Sequence, residues 1–244
     1  MNHSLAIETG AEILKVIRAP EYIVPTLVLP VAFYCLFGII LPMGGGNNAA
    51  YLLATYGVFA VMGPSIFGFG IAVATERERG WLDLKRAAPV PAWSYLLAKI
   101  LTTLIFATLA VSLVYLVAGF FGGVALPRTT WTALLAVHIS GTLPFILIGL
   151  TIGLLMKSNA AVAVANLLFL ALAILGGLWI PIMVFPPSMQ TMAGFLPSFH
   201  MAEIALFVAG EPGERDLMNH VLAMTIMTVL LLGLTALAWR RQKS

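Results

Sequence analysis

The placement of charge constrains this chain more than any other feature. No Asp, Glu, Lys or Arg occurs in residues 22–75, 100–127, 129–156, 158–202 or 217–239. A soluble domain cannot keep such runs, because about a quarter of its residues are charged. Here 9% are charged and 61% hydrophobic, which also excludes disorder, since disorder needs the opposite balance. A hydrocarbon core about 30 Å thick is crossed by about 20 apolar residues in helical form. The runs therefore predict an all-α polytopic membrane protein, a single transmembrane domain over 1–244. Its six spans are expected at about 22–42, 50–74, 97–121, 131–156, 160–180 and 219–239. The stretch GGGNN at residues 44–48 supplies the first turn.

The basic residues give the orientation. With the N-terminus inside, the inner segments hold Lys15, Arg18, Arg77, Arg79, Lys85, Arg86, Lys99, Lys157, Arg240, Arg241 and Lys243. The outer ones hold only Arg128 and Arg215. Lys and Arg concentrate in cytoplasmic loops, so both termini are expected in the cytoplasm of a multi-pass protein of the inner membrane. The net charge of +3 reflects this asymmetry and not a nucleic-acid partner. Cys35 is the one cysteine, so no intrachain disulfide or cysteine metal cluster can form. The start, MNHSLAIETG, lacks the pattern of a signal peptide and is expected to be retained.

Three segments are not simple spans. Residues 4–18 predict a short amphipathic helix lying along the inner surface. Ala6, Ile7, Gly10, Leu14 and Ile17 share one face, and Glu8, Glu12 and Lys15 the other. A frayed tail is the plain alternative. Residues 181–216 are apolar but broken by Pro181, Pro186, Pro187 and Pro197, which excludes one spanning helix. Two short external helices, about 187–195 and 198–209, dipping into the outer leaflet are expected. The third segment is the loop at 75–99.

The spans offer little chemistry. Ion-coupled carriers usually keep ionisable groups in their spans, but the expected spans hold no acid and, apart from His220 near a span end, one histidine, His138. That histidine reads as a packing residue or, less simply, a proton relay. Ser65 has no evident base, no HExxH occurs, and no catalytic residue is identified. Without a GxxxxGK[ST] loop the chain does not bind ATP in that way itself.

Seven of the 23 charged residues fall within residues 76–86. Glu76 with Arg79, and Asp83 with Arg86, stand at the spacing of helical ion pairs, and Trp81, Leu82 and Leu84 add apolar contacts. Pro89 and Pro91 stop the helix before the next span. A solvated loop that only fixes topology, and a docking surface for a protein, both fit this pattern. Elsewhere, Gly149 and Gly153 form a GxxxG suited to close helix packing or contact between two copies. His200 and Glu203 share a helix face, fit for a local hydrogen bond, an external gate or a metal ligand pair. No complete metal site is identified.

The stretch ERERGWLDLKRAAPVPAWSYLLAKI resembles the cytoplasmic loop of ABC-2 type transporter permeases. LKVIRAPEYIVPTLVLP is similar to that family's N-terminal interfacial elbow helix leading into span one. LGGLWIPIMVFPPSMQTMAGFLPSFHMAEI is similar to its fifth span and the external re-entrant helices between spans five and six. One departure is Trp81, where many members carry Ser or Thr. The resemblance implies a permease subunit of an ABC exporter, not itself an enzyme. It would move a hydrophobic or amphipathic drug, peptide or lipid-like substrate. It implies a cytoplasmic ATP-binding partner that uses ATP and Mg, no cofactor on this chain, and a second permease copy in a homodimer or heterodimer. The coupling role is carried to Glu76, Arg77, Glu78, Arg79, Gly80, Trp81, Leu82 and Asp83. The alternatives are an ion-coupled carrier or channel, and a membrane anchor or sensor without an ATPase.

Overall fold

The computed structural model describes residues 2–41, 48–81, 84, 92–213 and 216–241, and among them there is no strand. Most of the expected turn at 44–48, and Leu82, Asp83, Lys85, Arg86, Pro89, Pro91, Arg215 and Lys243, lie outside the described residues. Helix α1 (Asn2–Ile17) leads into α2 (Pro20–Tyr34), which widens into a π-helical turn at Cys35–Ile40. Pro20 opens α2, where its missing N–H is not needed. Helix α3 (Ala49–Gly63), a π segment (Pro64–Gly68) and α4 (Phe69–Glu78) follow. Then come α5 (Ala92–Phe120), α6 (Arg128–Ser140), α7 (Leu143–Leu155) and α8 (Ser158–Leu175). The last are α9 (Pro187–Ala193), α10 (Pro197–Ala209) and α11 (Leu217–Arg241).

Among the described residues, six helices are long and apolar enough to cross a membrane: Tyr22–Ile40, Ala49–Glu78, Ser94–Phe120, Arg128–Leu155, Ser158–Leu175 and Leu217–Arg241. Two ends differ most from the sequence expectation. Span two continues to Glu78, past 74, because the charged residues ERE add a further turn of helix rather than ending it. Span five stops at Leu175, short of 180. There the backbone of Gly177 turns left-handed at φ 75°, and the Leu178 N–H bonds back to the Ala173 carbonyl at 3.1 Å. A glycine adopts this conformation without the strain a Cβ would bring.

Span two is the axis of the fold. Of its most apolar window 78% is buried, against 11% in span one and 17% in span six. Its first helix, α3, is apolar all round, as a helix packed on every side must be. Helix α3 packs on α2, α5 and α10, whereas α4 packs on α7 and α8. Helix α11 lies against α7 and α10, with Val229, Leu230 and Leu237 facing outward, as suits lipid contact.

Two features hold the centre together. Gly70, Gly149 and Gly153 bring α4 and α7 into backbone contact. A Cβ on Gly149 would stand 2.5 Å from the Ser65 carbonyl oxygen, and one on Gly153 2.6 Å from that of Gly70. This glycine face is thus filled within the chain, which leaves it no room for the contact between copies considered from sequence. The other feature is His138, fully buried on α6 over Gly57. Its Nε2 lies 3.0 Å from the Ala54 carbonyl oxygen and must donate, so Nδ1 accepts from the Tyr115 hydroxyl at 2.7 Å. Both nitrogens serve to tie spans two, three and four, which is the packing role. Ser65 is also buried, and its hydroxyl donates to the Val61 carbonyl.

Between spans five and six, α9 and α10 meet at 90°. Pro187 and Pro197 each start a helix instead of breaking one. Helix α10 is buried along most of its length against α3, α6 and α11.

Candidate functional site

The last turn of span two gathers the charged groups that the apolar runs exclude. Glu76 is 6% exposed, and its Oε1 accepts from Lys15 Nζ at 2.9 Å and Lys99 Nζ at 3.2 Å. Its Oε2 accepts from the Tyr95 hydroxyl at 2.5 Å. Glu12 completes a square, with Lys15 at 2.6 Å and Lys99 at 2.8 Å. Two carboxylates and two ammonium groups alternate, so the square is neutral. Each buried charge meets two partners of opposite sign, the condition under which such a cluster can stand outside water. Lys99 and Glu12 are fully buried, while the Lys15 side chain is 38% exposed. For Lys15 burial works against the charge, but the hydrogen bonds and charges of Glu12 and Glu76 outweigh it and raise its pKa.

The square explains the orientation of α1. Its polar face turns inward with Glu12, while Ile7, Leu14 and Ile17 point out. Neighbouring residues on span two reach other elements. Arg77 donates to the carbonyls of Leu154 and Met156, the second at 2.5 Å, and so caps the end of α7. Thr75 Oγ1 is 2.9 Å from Ser158 Oγ at the start of α8. The end of span two is therefore tied to α1 and to spans three, four and five.

Of the residues assigned to coupling, the structure turns Glu76 and Arg77 inward and leaves Glu78, Arg79 and Trp81 outward-facing. The expected ion pair of Glu76 with Arg79 is not formed, because Lys15 and Lys99 both hold Glu76 Oε1 and the Tyr95 hydroxyl holds its Oε2. Arg79 instead lies over the Trp81 ring, 6.0 Å from its centroid, with Lys15 at 5.4 Å. Gly80 holds φ 70°, where a side chain would be strained, and its N–H bonds to the Arg77 carbonyl as the helix ends. Leu82 and Asp83 lie outside the described residues. Glu12, Lys15, Tyr95 and Lys99 were missed as site residues. A signal existed: a helix that carries Glu8, Glu12 and Lys15 beside an otherwise apolar protein needs polar partners inside it.

The other candidates separate. His200 does not bond Glu203. Its Nε2 donates to the Gly194 carbonyl at 2.8 Å, and its Nδ1 lies 2.9 Å from His220 Nδ1 on α11. Glu203 is buried on α10 beside Gly213. Among the described residues no three His, Cys, Asp or Glu side chains gather as metal ligands.

A cleft of about 860 Å³ rises from the charge square. Spans one, two, three and five wall it, with Pro25, Leu29, Phe67, Phe106 and Phe169 among the lining residues. Glu12, Lys15, Glu76, Arg79, Trp81 and Lys99 form its charged end. This is a size usual for small-molecule sites.

Six apolar spans, a charged junction at the end of one of them and an apolar cleft beside it define a membrane transport subunit. The chain belongs to the ABC-2 type transporter family, whose model matches residues 4–209. It is 31% identical over 225 residues to the protein named "Putative transport permease YvfS" of Bacillus subtilis (strain 168), covering 90% of this chain and 92% of that one. The chain is accordingly a permease subunit of an ABC transporter, a membrane protein whose family implies an ATP-binding partner.

Proposed function

We propose that this permease exports a hydrophobic or amphipathic compound, powered by a separate cytoplasmic subunit that binds ATP and Mg. Two permease copies and two such subunits make the working unit, with both termini in the cytoplasm and the spans in the inner membrane. Helix α1 acts as the elbow at the inner surface, and α9 and α10 form the external re-entrant pair. His200 and Glu203 stand in that pair as the outer gate. The chain needs no cofactor of its own, because the energy enters as movement of the loop after Glu78.

One observation carries this reading: the last turn of span two joins four other elements just before the charged loop. Glu76 holds α1 and span three, Arg77 holds span four, and Thr75 holds span five. A push on Glu78, Arg79, Gly80, Trp81, Leu82 and Asp83 from a closing ATPase is thereby delivered to most of the protomer at once. The inward-facing Glu76 and Arg77 transmit it, and the outward-facing residues receive it.

The test is to reconstitute the permease with its ATP-binding subunit and reverse the outer charges as Glu78→Arg and Arg79→Glu. Complex formation and ATPase stimulation are expected to fall while the permease stays folded. Unchanged stimulation would remove the coupling role. Efflux that survives an inactive ATPase yet stops with an uncoupler would favour the ion-coupled carrier.

A further inference from the structure

The cleft carries chemical information beyond its apolar walls. Along span two its lining runs from Phe59 to Glu76, a rise of about 25 Å, most of the thickness of a hydrocarbon core. It is apolar towards Phe59 and charged towards Glu76. That is the polarity of an amphipath standing in a membrane leaflet.

The charged end is not neutral. Glu12, Lys15, Glu76 and Lys99 cancel within their square. Arg79 remains, exposed at the mouth over Trp81 and without an ion pair among the described residues. Lys15, half-exposed beside the same ring, is balanced by Glu12 and Glu76 and adds no net charge. An anionic head here meets net positive charge and an aromatic plane, whereas a cationic head is repelled.

Thr102 and Asn166 line the cleft at different depths. Thr102 stands three residues beyond Lys99, about one helical turn from the charged end, and its Oγ1 is sealed from the cleft. Asn166 projects into the cleft from span five, and its amide nitrogen donates to the Val162 carbonyl at 2.8 Å. Its carbonyl oxygen remains for another donor. It lies eight positions into its span from Ser158, about 12 Å in from that end.

We infer that the cleft binds an amphipath with an anionic head. Arg79 beside Trp81 holds the head, Asn166 offers its carbonyl oxygen to a donor deeper in the cleft, and Phe67, Phe106 and Phe169 enclose the apolar body. This deepens the permease reading and rests on it for the ligand's onward movement, but binding itself needs no nucleotide.

The experiment uses the full chain in phosphatidylcholine nanodiscs without the ATP-binding subunit. The probes are dodecanoate, dodecylammonium and dodecanol carrying the same terminal fluorophore. The carboxylate is expected to bind about tenfold more tightly than the ammonium, the range of one charge-assisted contact. Arg79→Gln should remove that preference, and Arg79→Lys should keep it. Equal affinity for the three heads, or a preference unchanged in Arg79→Gln, would overturn the inference. So would disulfide cross-linking between two Asn166→Cys chains in a Cys35→Ser background that blocks the probe, which makes the cleft an interface between copies. ATP-driven efflux in the assembled transporter is a separate readout and can succeed where this binding fails.

Discussion

Replacing Lys99 by methionine tests the charge square most directly. Methionine keeps the length and apolar stem of lysine and removes only the ammonium group. At an effective dielectric of about 20 the contacts at 2.8 and 3.2 Å correspond to about 6 and about 5 kcal/mol of attraction. Desolvation of the ammonium returns several kcal/mol of this. The net loss expected is about 3–5 kcal/mol, the cost of leaving one net negative charge buried where Glu12 and Glu76 share Lys15 alone. Unfolding in mixed micelles titrated with a denaturing detergent gives the free energy. The double variant Glu12→Gln, Lys99→Met should recover about 2 kcal/mol of the loss, because one excess carboxylate is then neutral. A Lys99→Met chain within about 1 kcal/mol of wild type, or a double variant that is simply additive, would refute the account of α1 as held by buried charge.

Three further outcomes follow from the packing. Gly149→Ala should destabilise the monomer by about 1–3 kcal/mol, since its Cβ meets the backbone oxygens of Ser65 and Ile66; thermal unfolding at unchanged oligomeric state checks it. Tyr115→Phe should cost about 1–3 kcal/mol by leaving His138 Nδ1 buried without a donor, whereas Gly57→Ala should be worse because the imidazole ring fills that space; the same unfolding assay ranks them. The Lys15 contribution has a definite pH window. Its folded pKa is raised above the ordinary 10.5, so the stabilisation is fully present below 10.5 and is lost as the pH rises through the raised value. The difference in melting temperature between wild type and Lys15→Met should therefore hold steady to pH 9 and shrink above 10.5.

The number of spans was legible because lipid excludes charge, and five uncharged runs leave little choice. The end of span five was not, because Gly176 and Gly177 read equally well as membrane glycines and as a stop. The charge square was hidden for a different reason. Charge spacing exposes pairs three or four residues apart, and so it suggested Glu76 with Arg79. The true partners of Glu76 lie 61 and 23 residues away, and the Lys99–Glu12 pair spans 87. The local hydrogen bond of His200 with Glu203 is absent for the same reason, since His220 meets His200 from another helix. The cleft depends on the mutual placement of four spans, which no local pattern encodes.

The π segment at Pro64–Gly68 sets the helical phase of everything after it. A π turn holds an additional residue, and so it rotates the second half of span two relative to the first. Upstream, α3 presents its faces to α5 and α10; downstream, α4 presents Gly70 to α7 and Glu76 to Lys15 and Lys99. Removing one residue from this segment would turn α4 by about 100°. Glycines would leave glycines and the carboxylate would leave its ammonium partners, without any contact residue being changed. Residue count across this one turn is therefore under tighter constraint than most of the side chains around it.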